Sequence, residues 1–258
     1  MRNLTTIVLL GSSLVACMNR GGSDADSAES AIDSSDSVGS ESDLMAATLD
    51  GAEVTGLLPA TADQIAVRIA ANVAGRWASG CAKVTQTGAN VVITYTDCTG
   101  PRGLLHVSGE LDVAITVSDT TITAHGTSSN LTINRASLVV DATATYAVTG
   151  TTRTLTVATD GSGTGPRGNE IEHQGNYTIT WDSASQCRTI AGQWSTDLGV
   201  RERSNTVSLS RCDRGCPTGS VTHHFLAGAS MTITFDGTAT AAWSTSTGRT
   251  GTVALGCQ

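Results

Sequence analysis

Apolar and polar residues alternate along most of the chain from Lys83 onward. Leu111, Val113, Ile115 and Val117, for example, are separated by single polar or small residues. Successive side chains of a β-strand point to opposite faces, so this period of two predicts strands with one buried face and one solvent face. The outward positions are mostly threonine, a β-branched residue that suits a half-exposed strand. The same alternation recurs at Val91–Tyr95, Tyr177–Trp181, Val207–Leu209, Met231–Phe235 and Val253–Leu255.

Gly, Ser, Asn and Asp separate these runs and mark the expected turns. The predicted turns are Asp119–Thr120, Gly150–Thr151, Asp236–Gly237 and Thr247–Gly248, and the stretch DGSGTG at Asp160–Gly165 is also interpreted as a turn. Short strands at this spacing predict an all-β fold, an antiparallel meander or sandwich of about 12–14 strands.

One helix is expected before the strands. Thr61 and Gln64 have the spacing of a capping box, in which each side chain satisfies a free backbone N–H. An apolar stripe at i, i+4 and i+8 follows, with Gly75 as the expected end and Trp77 as a packing anchor. The stripe consists of Ile65, Ile69 and Val73.

The first 16 residues have the parts of an export signal. Arg2 gives a positive start, and Thr5–Leu14 is an apolar run too short to span a bilayer, which needs about 20 residues. The run ends in LVAC, Leu14–Cys17, which resembles the lipobox of bacterial lipoproteins. That resemblance implies cleavage before Cys17, diacylglycerol on its thiol and an acyl chain such as palmitate on the new amino terminus. In lipoproteins of Gram-negative bacteria, an Asp directly after the acylated cysteine resembles an inner-membrane retention signal. Met18 occupies this position here, which favours the outer membrane.

Residues 17–54 are expected to be the lipidated cysteine and a disordered, acidic, Ser-rich tether. Nine acids and one base lie between Met18 and Val54. Residues 55–258, the predicted β-rich domain, carry thirteen bases and fourteen acids, so the net charge of −8 comes from the tether. No basic surface for nucleic acid is expected.

Six further cysteines in an exported chain predict three disulfides. Cys81 and Cys98 flank one predicted hairpin. A four-residue loop at Gly88–Val91 would place them directly opposite, and a two-residue Gly88–Ala89 turn would offset them by two positions. The favoured pairing is completed by Cys187 with Cys212 and Cys216 with Cys257. The alternative is a zinc site at Cys212 and Cys216, but the sequence has no second pair of closely spaced cysteines to complete it.

The segment TGPRG occurs twice, at Thr99–Gly103 and Thr164–Gly168, and CPTG at Cys216–Gly219 is a shorter variant. Two interpretations of this repeat remain open: a duplicated β-unit, or a sequence that is simply favourable for a turn. The C-terminal stretch from Cys216 to Gln258 resembles the ends of uncharacterised secreted β-rich lipoproteins of Gram-negative bacteria, of myxobacterial type. That resemblance implies no particular activity.

No nucleophile elbow, zinc-protease motif, Walker loop or dinucleotide fingerprint occurs in the chain. His223 and His224 are expected on opposite faces of a strand. Glu170 and Glu172 share a face beside His173 and would make at most a weak metal site; a solvated strand edge is the favoured interpretation. The sequence therefore predicts no catalytic residue, no metal and no cofactor.

Two functions fit these expectations. The first is an outer-membrane-anchored lipoprotein, facing the periplasm or the cell surface, with a non-enzymatic β-rich binding or envelope-structural module. The alternative is a periplasmic carrier of lipid or another apolar ligand, because a helix followed by a long meander resembles the half-barrel of lipoprotein carriers. The expected partners are a membrane, through Cys17, and a protein or ligand of unknown identity.

Overall fold

The computed structural model describes residues 60–77, 80–99, 106–133, 136–165, 168–182, 184–197, 202–212, 215–224, 228–255 and 257. The export signal, Cys17 and the acidic tether lie outside these residues. So do residues 100–105 and 166–167, which hold most of the two TGPRG segments.

Within the described residues, helix α1 spans Ala62–Arg76 and is followed by thirteen strands. The strands are β1 Ala82–Thr87, β2 Asn90–Thr99, β3 His106–Val117, β4 Thr121–Ile133, β5 Ala136–Thr149, β6 Thr152–Thr164, β7 Glu170–Asp182, β8 Cys187–Asp197, β9 Glu202–Cys212, β10 Thr218–His224, β11 Ser230–Asp236, β12 Thr240–Thr245 and β13 Thr250–Ala254.

All thirteen strands form one sheet in which each strand pairs with its sequence neighbours, in the order β1 to β13. Every pairing is antiparallel. The all-β prediction is therefore confirmed, and of the two architectures it left open the structure has the meander.

The capping box at the start of α1 is formed as predicted. Thr61 N–H donates to Gln64 Oε1 at 3.0 Å, and Gln64 N–H donates to Thr61 Oγ1 at 3.3 Å. The helix ends at Arg76 rather than at Gly75, because the backbone becomes extended only at Trp77. This conformation accompanies an edge-on contact between the Trp77 and Tyr95 rings, whose centroids lie 5.3 Å apart.

The apolar face of the sheet carries the core. The helix stripe of Ile65, Ile69 and Val73 joins the inward side chains of β1–β7 in one buried cluster, against which the partly buried Ile190 of β8 packs. A smaller second cluster contains the inward side chains of β9–β13, among them Ile233, Phe235 and Trp243. Each cluster follows directly from the alternation, because only every second residue of a strand points inward.

The prediction of a turn at DGSGTG is wrong. Residues Asp160–Thr164 of this stretch form the last third of β6. Asp160 to Thr164 pair in register with both β5 and β7. Gly163 serves close packing instead, because an added Cβ would clash with the Ser137 carbonyl oxygen. A glycine inside a strand commonly marks such a close backbone approach.

The six cysteines lie in three pairs at disulfide distance, Cys81–Cys98, Cys187–Cys212 and Cys216–Cys257. These are the pairs that the sequence favoured, and they remove the zinc alternative. Thr87 pairs with Asn90, so the β1–β2 turn is the two-residue Gly88–Ala89 turn. In the neighbouring β2–β3 pairing, a bulge lies between Tyr95 and Cys98.

Candidate functional site

The outer face of the sheet, opposite the core, is covered by rows of small hydroxyl-bearing residues. Directly paired residues share a face, so each row can be followed from strand to strand. Hydroxyls within these rows contact one another, as between Thr222 and Thr232 at 3.1 Å. One row crosses β3–β13 as Thr116, Thr123, Thr145, Thr156, Thr178, Ala191, Ser208, Ser220, Thr234, Ala242 and Thr252.

A groove of about 740 Å³ lies on this outer face and crosses β5–β10. Its volume is in the range of small-molecule binding sites, although most such sites are more apolar. Two adjacent rows supply the outward side chains that line it. The first row is Asp141, Asp160, Gln174, Ser195, Ser204 and His224, and the second is Thr143, Ala158, Asn176, Gln193 and Thr206.

One end of the groove is acidic. Asp141 on β5 and Asp160 on β6 are direct cross-strand partners. His125 Nε2 lies 2.8 Å from Asp141 Oδ1, and both side chains are largely exposed. The side-chain amide of Gln174 donates to Asp160 Oδ2 at 3.5 Å. Apart from the His224 imidazole, these two carboxylates are the only acidic or basic side chains among the residues that line the groove.

His224 lies at the other end of the groove, four strands away from Asp160. With neighbouring strands about 4.8 Å apart, the two residues are separated by roughly 19 Å. His224 therefore does not share a proton with the acidic end. Within the described residues His125 has no hydrogen bond besides that to Asp141, so no hydroxyl nucleophile is engaged by this histidine.

A small polar cluster lies on the buried face of the same strands, and one of its members, Thr159, also lines the groove. His173 is 4% exposed and its Nδ1 lies 2.9 Å from Thr196 Oγ1. Burial lowers the pKa of His173 below its ordinary value of 6.5, and the charge of Asp160 opposes this shift. His173 Nε2 and the buried Thr159 Oγ1 have no hydrogen-bond partner among the described residues. Both atoms approach Gly175, where an added Cβ would lie 3.5 Å and 2.8 Å from them.

The structure separates the titratable residues that the sequence analysis singled out. Glu170 and Glu172 are exposed at the beginning of β7, whereas His173 points to the buried face. His223 is buried and His224 exposed, which confirms that they lie on opposite faces of β10. No group of three or more His, Cys, Asp or Glu within the described ranges is close enough to hold a metal ion.

Sequence reasoning missed the groove and its acidic end. The available signal was the occurrence of Asp141, Asp160, Gln174, Asn176 and Gln193 at outward positions otherwise occupied by Thr and Ser. That signal becomes a site only when the register of six strands is known, because the residues lie on different hairpins.

Comparisons with protein-family models, with curated proteins and with solved structures find no match for this chain. In the part of the chain that the structure describes, α1 falls short of the length and apolar character needed to cross a membrane.

Proposed function

We propose that this chain is a lipoprotein, anchored to the outer membrane through acylated Cys17, whose β-domain is a non-enzymatic binding module that uses the outer-face groove. The groove carries this proposal, because it gathers hydroxyl, amide and carboxylate groups from six consecutive strands in a single concave surface. The packed apolar face and three disulfides would hold these groups at fixed spacing, which lowers the entropic cost of binding.

A catalytic role has less support. The acidic end and His224 are too far apart for joint acid–base chemistry, which requires hydrogen-bond reach. The His125–Asp141 pair contacts no nucleophile among the described side chains. A binding role requires only many weak polar contacts, which the side chains that line the groove can supply.

The carrier alternative also has less support, because it needs open apolar surface on the inner face of the sheet. Ala124, Ala142 and Ala144, inward residues of the central strands β4 and β5, have no exposed area. Leu155 and Val157 on β6 are equally buried. A ligand-sized cavity against these side chains would leave part of their area accessible.

The anchor is tested by fractionating cells that express the full chain or its Cys17→Ala variant. We expect wild-type protein in the outer-membrane fraction and the variant in the soluble periplasmic fraction. Met18→Asp is the matched control, because it keeps the acylated cysteine and, by resemblance to the lipoprotein sorting signal, should move the protein to the inner membrane. A Cys17→Ala protein that has lost its leader and still sediments with membranes contradicts the anchor.

The binding role is tested by co-sedimentation of the Cys17→Ala chain with purified peptidoglycan and by its retention on immobilised lipopolysaccharide. Ala158→Trp fills the groove floor at an exposed position of β6. Ala191→Trp adds the same side chain at an exposed position of β8 on the same face, outside the groove. We expect the Cys17→Ala chain to bind at least one of these materials, Ala158→Trp to abolish this binding and Ala191→Trp to preserve it. No binding to either material, or equal binding by the two Trp variants, rejects the groove as the binding site.

A further inference from the structure

We propose that the groove binds a ligand that carries a protonated amine beside hydroxyl or amide groups, with the amine held between Asp141 and Asp160. This inference rests on the proposed function, since it uses the same groove. It identifies the chemical class of the ligand.

The two carboxylates at the acidic end form an unfavourable pair. Side chains of direct cross-strand partners have Cβ atoms about 4.5–5.5 Å apart, and like charges in this position destabilise a sheet. Asp141 and Asp160 are such a pair, and no Lys or Arg lines the groove. A bound cation would remove this repulsion, whereas an anion would add to it.

The two carboxylates also have acceptor capacity that the described residues do not use. An ionised carboxylate has two oxygens and about four lone-pair sites. Asp141 receives one contact, from His125 through Oδ1, and Asp160 receives one long hydrogen bond, from Gln174 through Oδ2. Asp141 Oδ2 and Asp160 Oδ1 accept no hydrogen bond from the described residues, so both remain available to an ammonium group with three donors.

The small number of ligands at the acidic end favours an amine over a metal ion. Calcium takes six to eight oxygen ligands and therefore needs several carboxylates or carbonyls around one point. Among the described residues no third His, Cys, Asp or Glu completes a metal-sized group with this pair. An ammonium group is satisfied by three acceptors, which two carboxylates and one neighbouring hydroxyl can supply.

The remainder of the groove indicates the chemistry of the rest of the ligand. Beyond the acidic end the groove offers neutral side chains, including Asn176, Gln193, Ser195 and Thr206. The exposed large hydrophobic residues of the described part of the chain, Val67 and Val139, do not line it. A ligand that follows the groove across the strands would therefore present hydroxyl or amide groups, with an apolar edge toward Ala158 and Trp194.

The test uses isothermal titration calorimetry of the full chain in detergent at low ionic strength and pH 5.5. The probes are a fully deacetylated glucosamine tetramer and the fully N-acetylated tetramer, which share one sugar backbone and differ in the charge on nitrogen. We expect the deacetylated tetramer to bind at least tenfold more tightly. The double variant Asp141→Asn, Asp160→Asn should lose this preference, while Asp119→Asn, which removes an exposed charge from the β3–β4 turn, should retain it.

Three results would overturn the inference. The first is no binding of the deacetylated tetramer at millimolar concentration, and the second is equal affinity for the two tetramers. The third is a calcium-binding heat that disappears in the double Asn variant. If both tetramers bind, and this binding is abolished by Ala158→Trp but preserved by the Asn variants, the groove remains a binding site and only the preference for an amine is rejected. Circular dichroism of each variant confirms that the sheet is formed.

Discussion

The disulfide Cys216–Cys257 gives the sharpest test of how the C-terminal strands are stabilised. It joins the segment before β10 to the end of the chain after β13, over a sequence separation of 41 residues. The strands inside this loop carry most of the smaller core cluster, with Ile233, Phe235 and Trp243. We therefore consider replacement of both cysteines by alanine.

The expected cost follows from the entropy that the cross-link removes from the unfolded chain. A loop of about 40 residues corresponds to about 4 kcal/mol at 25 °C, and the loop of Cys187–Cys212, with a separation of 25, to about 3.5 kcal/mol. For a domain of this size, 4 kcal/mol corresponds to a fall in Tm of roughly 8–16 °C. The two double-alanine variants should thus differ from each other by only about 0.5 kcal/mol.

The assay is urea unfolding followed by tryptophan fluorescence, with the midpoint converted to a free energy of unfolding. A loss below about 1 kcal/mol for Cys216→Ala, Cys257→Ala would refute the loop-entropy argument. So would a separate low-urea transition that appears only in this variant, because it would show that β10–β13 unfold as an independent unit.

Three further predictions concern the described residues. Val140→Ala on the buried face of β5 should lower the free energy of unfolding by about 2 kcal/mol, whereas Val139→Ala, at the adjacent exposed position, should change it by less than about 0.5 kcal/mol in the same urea assay. Thr61→Ala removes one bond of the capping box and should cost about 1 kcal/mol, measured by thermal unfolding; an unchanged Tm contradicts the role of the cap. Burial lowers the pKa of His173, so the unfolded chain binds a proton at this residue more readily than the folded chain does. The contribution of the neutral imidazole to the free energy of unfolding is therefore complete above about pH 6.5 and is lost as the pH falls toward the folded-state pKa. His173→Gln should therefore flatten the stability profile below pH 6.5, by up to about 1.4 kcal/mol per pH unit, and an unchanged slope would show that His173 is not the responsible group.

Much of the fold could be derived from local sequence patterns. The period of two fixes which side chains of β3 or β11 face the core, because neighbouring residues of a strand point in opposite directions. The capping box fixes the beginning of α1, since Thr61 and Gln64 are only three residues apart. The Cys81–Cys98 pairing follows from a hairpin whose turn and strands are contiguous in the chain.

Only the tertiary structure determined which residues meet across different strands. A shift of one residue in any pairing would move the facing side chains to the other side of the sheet, and bulges such as the one between Tyr95 and Cys98 change the register locally. DGSGTG shows the limit of local signals: its glycines resemble a turn, but contact with β5 and β7 makes the stretch a strand. Asp141 and Asp160 become neighbours because the full register of β5 and β6 places them opposite each other, and no local pattern carries that information.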